Sequence, residues 1–118
     1  MSPMETRIIK DKITMAELKT LAHTQYGDIV KAAVDVAQKI MGVGGELHVD
    51  IQSLLIEKEN SQGPDVWGIN LYPEKTGDNF IEFDSMINLK PLLGNKTRGV
   101  NDLEIQNKIR EIVGRLVK

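Results

Sequence analysis

Residues 28–45 read D-I-V-K-A-A-V-D-V-A-Q-K-I-M-G-V-G-G, and the fold turns on how they are read. As a helix, they put Ile29, Val30, Ala33, Val34, Ala37, Ile40 and Met41 on one face, with Asp28 as N-cap and Gly42 as stop. As two strands, they put Val30, Ala32, Val34 and Val36 on one face, with Gln38-Lys39 as the turn. Gln-Lys is poor chemistry for a two-residue hairpin turn, where Asn-Gly and Asp-Gly lead. Periodicity by itself leans to the helix.

The segments on either side are plainer. Arg7 to Lys10 reads as a short strand. Thr14 and Glu17 form a T-x-x-E capping box, with Ile13 and Leu18 at the staple positions, so a helix starts there. Leu18, Leu21 and Ala22 make its buried stripe, and Gly27 ends it. Asp50 to Glu59 reads as a second helix capped by Asp50. Val66 to Tyr72 alternates, with Trp67, Ile69 and Leu71 opposite Gly68, Asn70 and Tyr72. Phe80 to Lys90 alternates too, and the two segments predict an antiparallel hairpin with one dry face. The last helix is capped by Asn101 and carries Ile105, Ile109, Ile112, Val113, Leu116 and Val117 on one stripe. The expected fold is a single α+β domain over residues 1–118. A mainly antiparallel sheet of four or five strands carries three helices, most of them on one face.

Composition fits one globular domain: 118 residues, 41% hydrophobic and 27% charged. With no Cys, disulfide scaffolds, cysteine zinc sites and thiol nucleophiles are excluded. No stretch is apolar enough for a membrane helix. Residues 1–12 mix charges and lack an apolar core, which predicts a cytoplasmic chain. Charge is segregated. Residues 1–89 hold 8 basic and 14 acidic side chains, whereas residues 90–118 hold 7 basic and 3 acidic. A basic end attracts anions, but a chain of net charge −2 is not a typical nucleic-acid binder.

Four segments carry a resemblance: G-V-G-G-E-L-H-V-D (42–50), W-G-I-N-L-Y-P (67–73), I-E-F-D-S-M-I-N-L-K-P (81–91) and G-N-K-T-R-G-V (94–100). Together they resemble a family of small bacterial and archaeal proteins known only as a domain of unknown function. The resemblance spans the chain from the first helix to the last and brings no activity with it. It implies a β-hairpin over residues 29–41 leading into the glycines, and the hairpin is the expectation taken forward.

Two constellations are candidates for chemistry. If Met41 to Val49 is a strand, Glu46 and His48 share a face with Asn70, Tyr72, Glu82, Asp84 and Asn88. Glu46, His48, Glu82 and Asp84 are then candidate acid–base groups. Glu46, His48 and Asp50 could hold a divalent ion, although their spacing matches no established metal motif. The alternative is an ordinary solvated or dimer-forming sheet face, with His48 donating to a backbone carbonyl. The second constellation is Gly94–Gly99, where Asn95, Lys96 and Arg98 lie between glycines ahead of a helix. The loop could cradle a small anion, and its Asn95, Lys96 and Arg98 join Asn70, Tyr72, Asn88 and Lys90 as candidate ligand-binding residues. Asp102 and Glu104 at the helix start oppose that reading. No cofactor is named by these residues. The leading functional expectation is a non-catalytic interaction module, homodimeric through the polar sheet face or the last helix. A small hydrolase or phosphate-handling enzyme is the alternative, and RNA or DNA binding ranks last.

Overall fold

The computed structural model describes residues 6–118, so the first five residues of the charge-mixed N-terminal stretch lie outside it. In chain order the elements are β1 (Arg7–Ile9), α1 (Met15–Gln25), β2 (Val30–Asp35), β3 (Ile40–Val43), α2 (His48–Glu59), β4 (Val66–Leu71), β5 (Ile81–Glu82) and α3 (Leu103–Leu116). The five strands form one antiparallel sheet in the order β1-β3-β2-β4-β5. The fold is α+β.

The stretch 28–45 is a hairpin. Its period was ambiguous because β2 is central and packs on both faces, so its four apolar residues, Val30, Ala32, Ala33 and Val34, do not alternate cleanly. Val30, Ala32 and Val34 join the main core, while Ala33 joins a second core on the other face. The turn runs over residues 36–39 and not Gln38-Lys39 alone. Asp35 organises it: its carboxylate accepts from the Ala37 and Gln38 backbone N–H groups, the Gln38 amide and the Ser61 hydroxyl. Lys39 closes the turn with φ +61°.

The two sheet faces are covered differently. Leu18 and Ala22 of α1 and Ile109, Ile112, Val113 and Leu116 of α3 pack on one face against Trp67, Ile69 and Leu71. Ile51 and Leu55 of α2 pack on the other, against Ala33, Ile40 and Val66. The glycines of 42–45 permit this second contact. A Cβ on Gly42 or on Gly45 would stand 2.6 Å from the Ile51 side chain.

Several boundaries differ from the sequence expectations. The capping box at Thr14 forms as read. Asp50 does not cap α2, because the helix begins two residues earlier and Leu47 supplies the first carbonyl. Asp102 and not Asn101 caps α3, accepting from the Glu104 N–H; the Asn101 side chain takes the Thr97 hydroxyl instead. The expected strand over Phe80–Lys90 ends at Glu82 and continues as a turn of 3₁₀-helix over Met86–Asn88. The reason lies in Gly68, where Ser85 approaches so closely that an added Cβ would stand 2.5 Å from it.

Glycine substitutions should therefore have opposite signs. Gly68→Ala should cost about 1–3 kcal/mol through overpacking against fully buried Ser85. Gly114→Ala, whose Cβ meets nothing within 4 Å on α3, should stabilise by up to about 1 kcal/mol. Urea unfolding of both variants measures this.

Candidate functional site

The polar face forms around the N-terminus of α2. The register places Lys31, Asn70 and Glu82 side by side across β2, β4 and β5. Asn70 is buried, and its Nδ2 donates to Glu82 Oε1 at 2.9 Å and to the Asp84 carbonyl at 3.3 Å. Its Oδ1 is buried without a hydrogen bond of normal geometry. The Tyr72 hydroxyl donates to the same Glu82 oxygen at 3.2 Å. Burial and the Glu82 charge raise the Tyr72 pKa, so the phenol stays a donor. Arg98 Nε reaches Asp84 Oδ1 at 2.6 Å, in a pair about half exposed on both sides. Such a pair contributes little stability.

His48 completes the cluster from above. It is not a strand residue: β3 ends at Val43, Gly44 turns the chain at φ +92°, and His48 opens α2. Its Nε2 lies 2.9 Å from the Ile69 carbonyl. A carbonyl only accepts, so Nε2 carries the proton. Burial lowers the His48 pKa, and the Lys31 charge lowers it further; the Ile69 carbonyl, Asn70 and Asp84 oppose the shift. The ring is neutral at physiological pH.

Apart from Arg98, the other sequence candidates make no side-chain hydrogen bond to His48, Asn70, Tyr72, Glu82 or Asp84. Glu46 is exposed in the turn before α2, and Asp50 lies in the first helical turn. Among the described residues no group of three or more His, Asp or Glu side chains stands ready to hold a metal ion. Asn88 is fully buried and stands in for a strand: it accepts from the Gly68 N–H at 2.7 Å and donates to the Gly68 and Arg98 carbonyls at 2.9 Å. Buried Asn95 donates to the Asn88 and Gly99 carbonyls at 2.8 Å and accepts from the Asn101 N–H. Lys90 donates to the Gly63 and Ile87 carbonyls beneath the Trp67 ring. Burial lowers its pKa, and the Asp65 carboxylate partly offsets this. Of the basic loop, Arg98 is taken by Asp84 and Lys96 is exposed. His48 and Arg98 thus lie on one side, linked through Asn70 and Asp84.

The model of the family described as "Protein of unknown function (DUF5674)" matches residues 7–116. The chain belongs to this family. No curated protein and no solved structure matches it. For this DUF5674 member, then, function has to be read from its surface. No helix among the described residues is long and apolar enough to cross a membrane.

Sequence reasoning missed Lys31, which faces Asn70 and acts on His48. It also missed Asp35, although an acid ending an apolar run just before a turn is a detectable signal. Two outcomes are expected. Asn88→Ala leaves the Gly68 N–H and carbonyl unpaired and should cost roughly 3 kcal/mol or more, read by denaturant unfolding. His48 should titrate below the ordinary 6.5, followed by NMR of the ring protons. The unfolded chain then binds more protons than the native one. Stability should fall as pH drops below about 6.5 and level off below the native pKa, and His48→Gln should flatten this part of the profile.

Proposed function

We propose that this protein is a non-catalytic interaction module of the cytoplasm, whose working surface is the loop 85–95 and whose partner is a second copy of the chain. The observation that carries this reading is Leu92. It is fully exposed (101%), on a loop that the fold holds firmly. Lys90 and Asn95 exchange two backbone hydrogen bonds around the tip, and Gly94 turns at φ +81°. Asn88, Asn95 and Lys90 fasten the loop from inside. Met86, Leu93 and Leu103 are exposed by more than half beside it. Exposed leucines on a rigid loop mark a contact surface.

The second copy is favoured by the shape of the patch. A twofold interface is made of one surface meeting itself, so knob and hole must lie together. Here Leu93, the chain neighbour of Leu92, lines with Trp67 and Ile105 a cleft of about 280 Å³ whose rim also carries Asn95, Asn101 and Asp102. The polar cluster supports the non-catalytic part of the reading. Its two acids are already engaged, Glu82 by Asn70 and Tyr72 and Asp84 by Arg98.

Sedimentation equilibrium over a range of concentrations tests the proposal. The expected result is a dimer that Leu92→Asp weakens at least about 100-fold, since each copy loses a buried leucine. A monomer at every concentration overturns it. So does a dimer indifferent to Leu92→Asp and Leu93→Asp, which would move the interface to the sheet face or α3.

A further inference from the structure

Away from the polar face and the leucine loop, the β2–β3 turn meets the C-terminal half of α3. A cleft of about 300 Å³ opens there, lined by Val36, Lys39, Lys108, Glu111, Ile112 and Arg115. Its walls bring three cations together with one acid, over an apolar floor of Val36 and Ile112. Arg115 Nη2 donates to the Lys39 carbonyl at 2.7 Å, which ties two cationic residues 76 positions apart in the chain. Lys39 is itself held in the left-handed region at φ +61°, by the turn that Asp35 organises. Outside glycine that region costs about 1–2 kcal/mol.

Glu111, between Lys108 and Arg115 on α3, offsets one of the three cations and leaves two positive charges in excess. The ion pairs among the described residues are Arg7–Glu17, Lys10–Glu59, Lys19–Glu74 and Arg98–Asp84. None of them uses Lys39, Lys108 or Arg115. The C-terminal carbonyls of α3 offset part of the positive charge of Arg115. They do not reach Lys108, which lies two turns back. An adjoining cleft adds Lys10, Lys12 and Lys118 against Asp11 and shares Arg115. A chain of net charge −2 has thus gathered cations from three separate segments on one surface.

We infer that the cleft between the β2–β3 turn and α3 binds a small metabolite bearing a diphosphate or two phosphate groups. Lys108 and Arg115 are separated by seven residues, about 10 Å along the helix, too far for one phosphate to use both fully and well matched to two. The volume is that of a small-ligand site. A nucleic-acid strand is disfavoured, because no aromatic side chain lines either cleft to stack a base.

The test is a two-dimensional ¹⁵N–¹H NMR titration of the full chain at constant ionic strength. The probes are inorganic phosphate, pyrophosphate and a single-stranded RNA oligomer. Saturable shifts at residues 36–39 and 108–115 are expected with pyrophosphate, at an affinity about tenfold above that for phosphate. Lys108→Gln and Arg115→Gln should each weaken it roughly tenfold, and Lys58→Gln on α2 should not. Arg115→Gln also removes a bond to the turn, so surface residue Lys108 keeps the test independent of folding. Shifts that do not saturate, or that survive Lys108→Gln unchanged, overturn the inference. Tight RNA binding that pyrophosphate displaces only as added salt does so too.

Discussion

A side-chain amide standing where a β-strand would stand is the constraint on which one half of this molecule depends. Gly68 turns its N–H and carbonyl away from β2, toward a position that β5 is too short to reach. Asn88 fills that position with an amide of the same donor–acceptor pattern as a peptide. An unpaired buried peptide group is costly, so the pairing is nearly obligatory. Having entered the sheet, Asn88 fixes the chain on both sides of it. Its own carbonyl accepts from Asn95, and its Nδ2 holds the Arg98 carbonyl. Residues 83–101 are thereby shaped by three side chains, Ser85, Asn88 and Asn95, and by short 3₁₀ turns, with no α-helix or strand among them.

That economy explains what the polar residues do. Asparagines, a lysine and a histidine near a sheet suggest chemistry when read as a string, since each can bind or transfer protons. In space most of them answer backbone groups: Lys90 answers two carbonyls, Asn95 several, and His48 one. What remains outward is the opposite of a polar site, a row of leucines on a firm base. The unpaired charge is gathered elsewhere, between the β2–β3 turn and α3.

Much of the fold was legible in the chain. The Thr14–Glu17 box, the alternation of Val66–Leu71 and the stripe of α3 each state their element locally. The hairpin over 30–43 was not legible by period, because a strand buried on both faces loses the alternation that identifies it. The resemblance carried by residues 42–100 supplied that reading. The site was less legible than the fold. His48, Asn70, Tyr72, Glu82 and Asp84 do come together, yet not by the strand geometry that suggested it. His48 arrives from a helix start that Gly44 makes possible, and Asp84 from a turn beyond β5. Asn88 shows the limit of pattern reading most clearly: the alternation that assigns it to a wet face fails once Ser85 closes on Gly68 and the strand stops.

The pairing of Ile13 with the end of α3 has a consequence for the order of assembly. Ile13 is fully buried, donates to the Leu116 carbonyl and accepts from the Lys118 N–H. Of the six buried helical residues that cover the main core, four (Ile109, Ile112, Val113 and Leu116) come from α3. As the polypeptide leaves the ribosome, the sheet and α2 can meet early, through contacts among residues 30–71. The part of that face awaiting α3 stays uncovered until more than a hundred residues have been made. Contacts so distant along the chain are slow to form. During that interval the part of the core that Ile109, Ile112, Val113 and Leu116 would cover faces water, so a nascent chain halted before residue 103 is the form most exposed to chaperones and proteases.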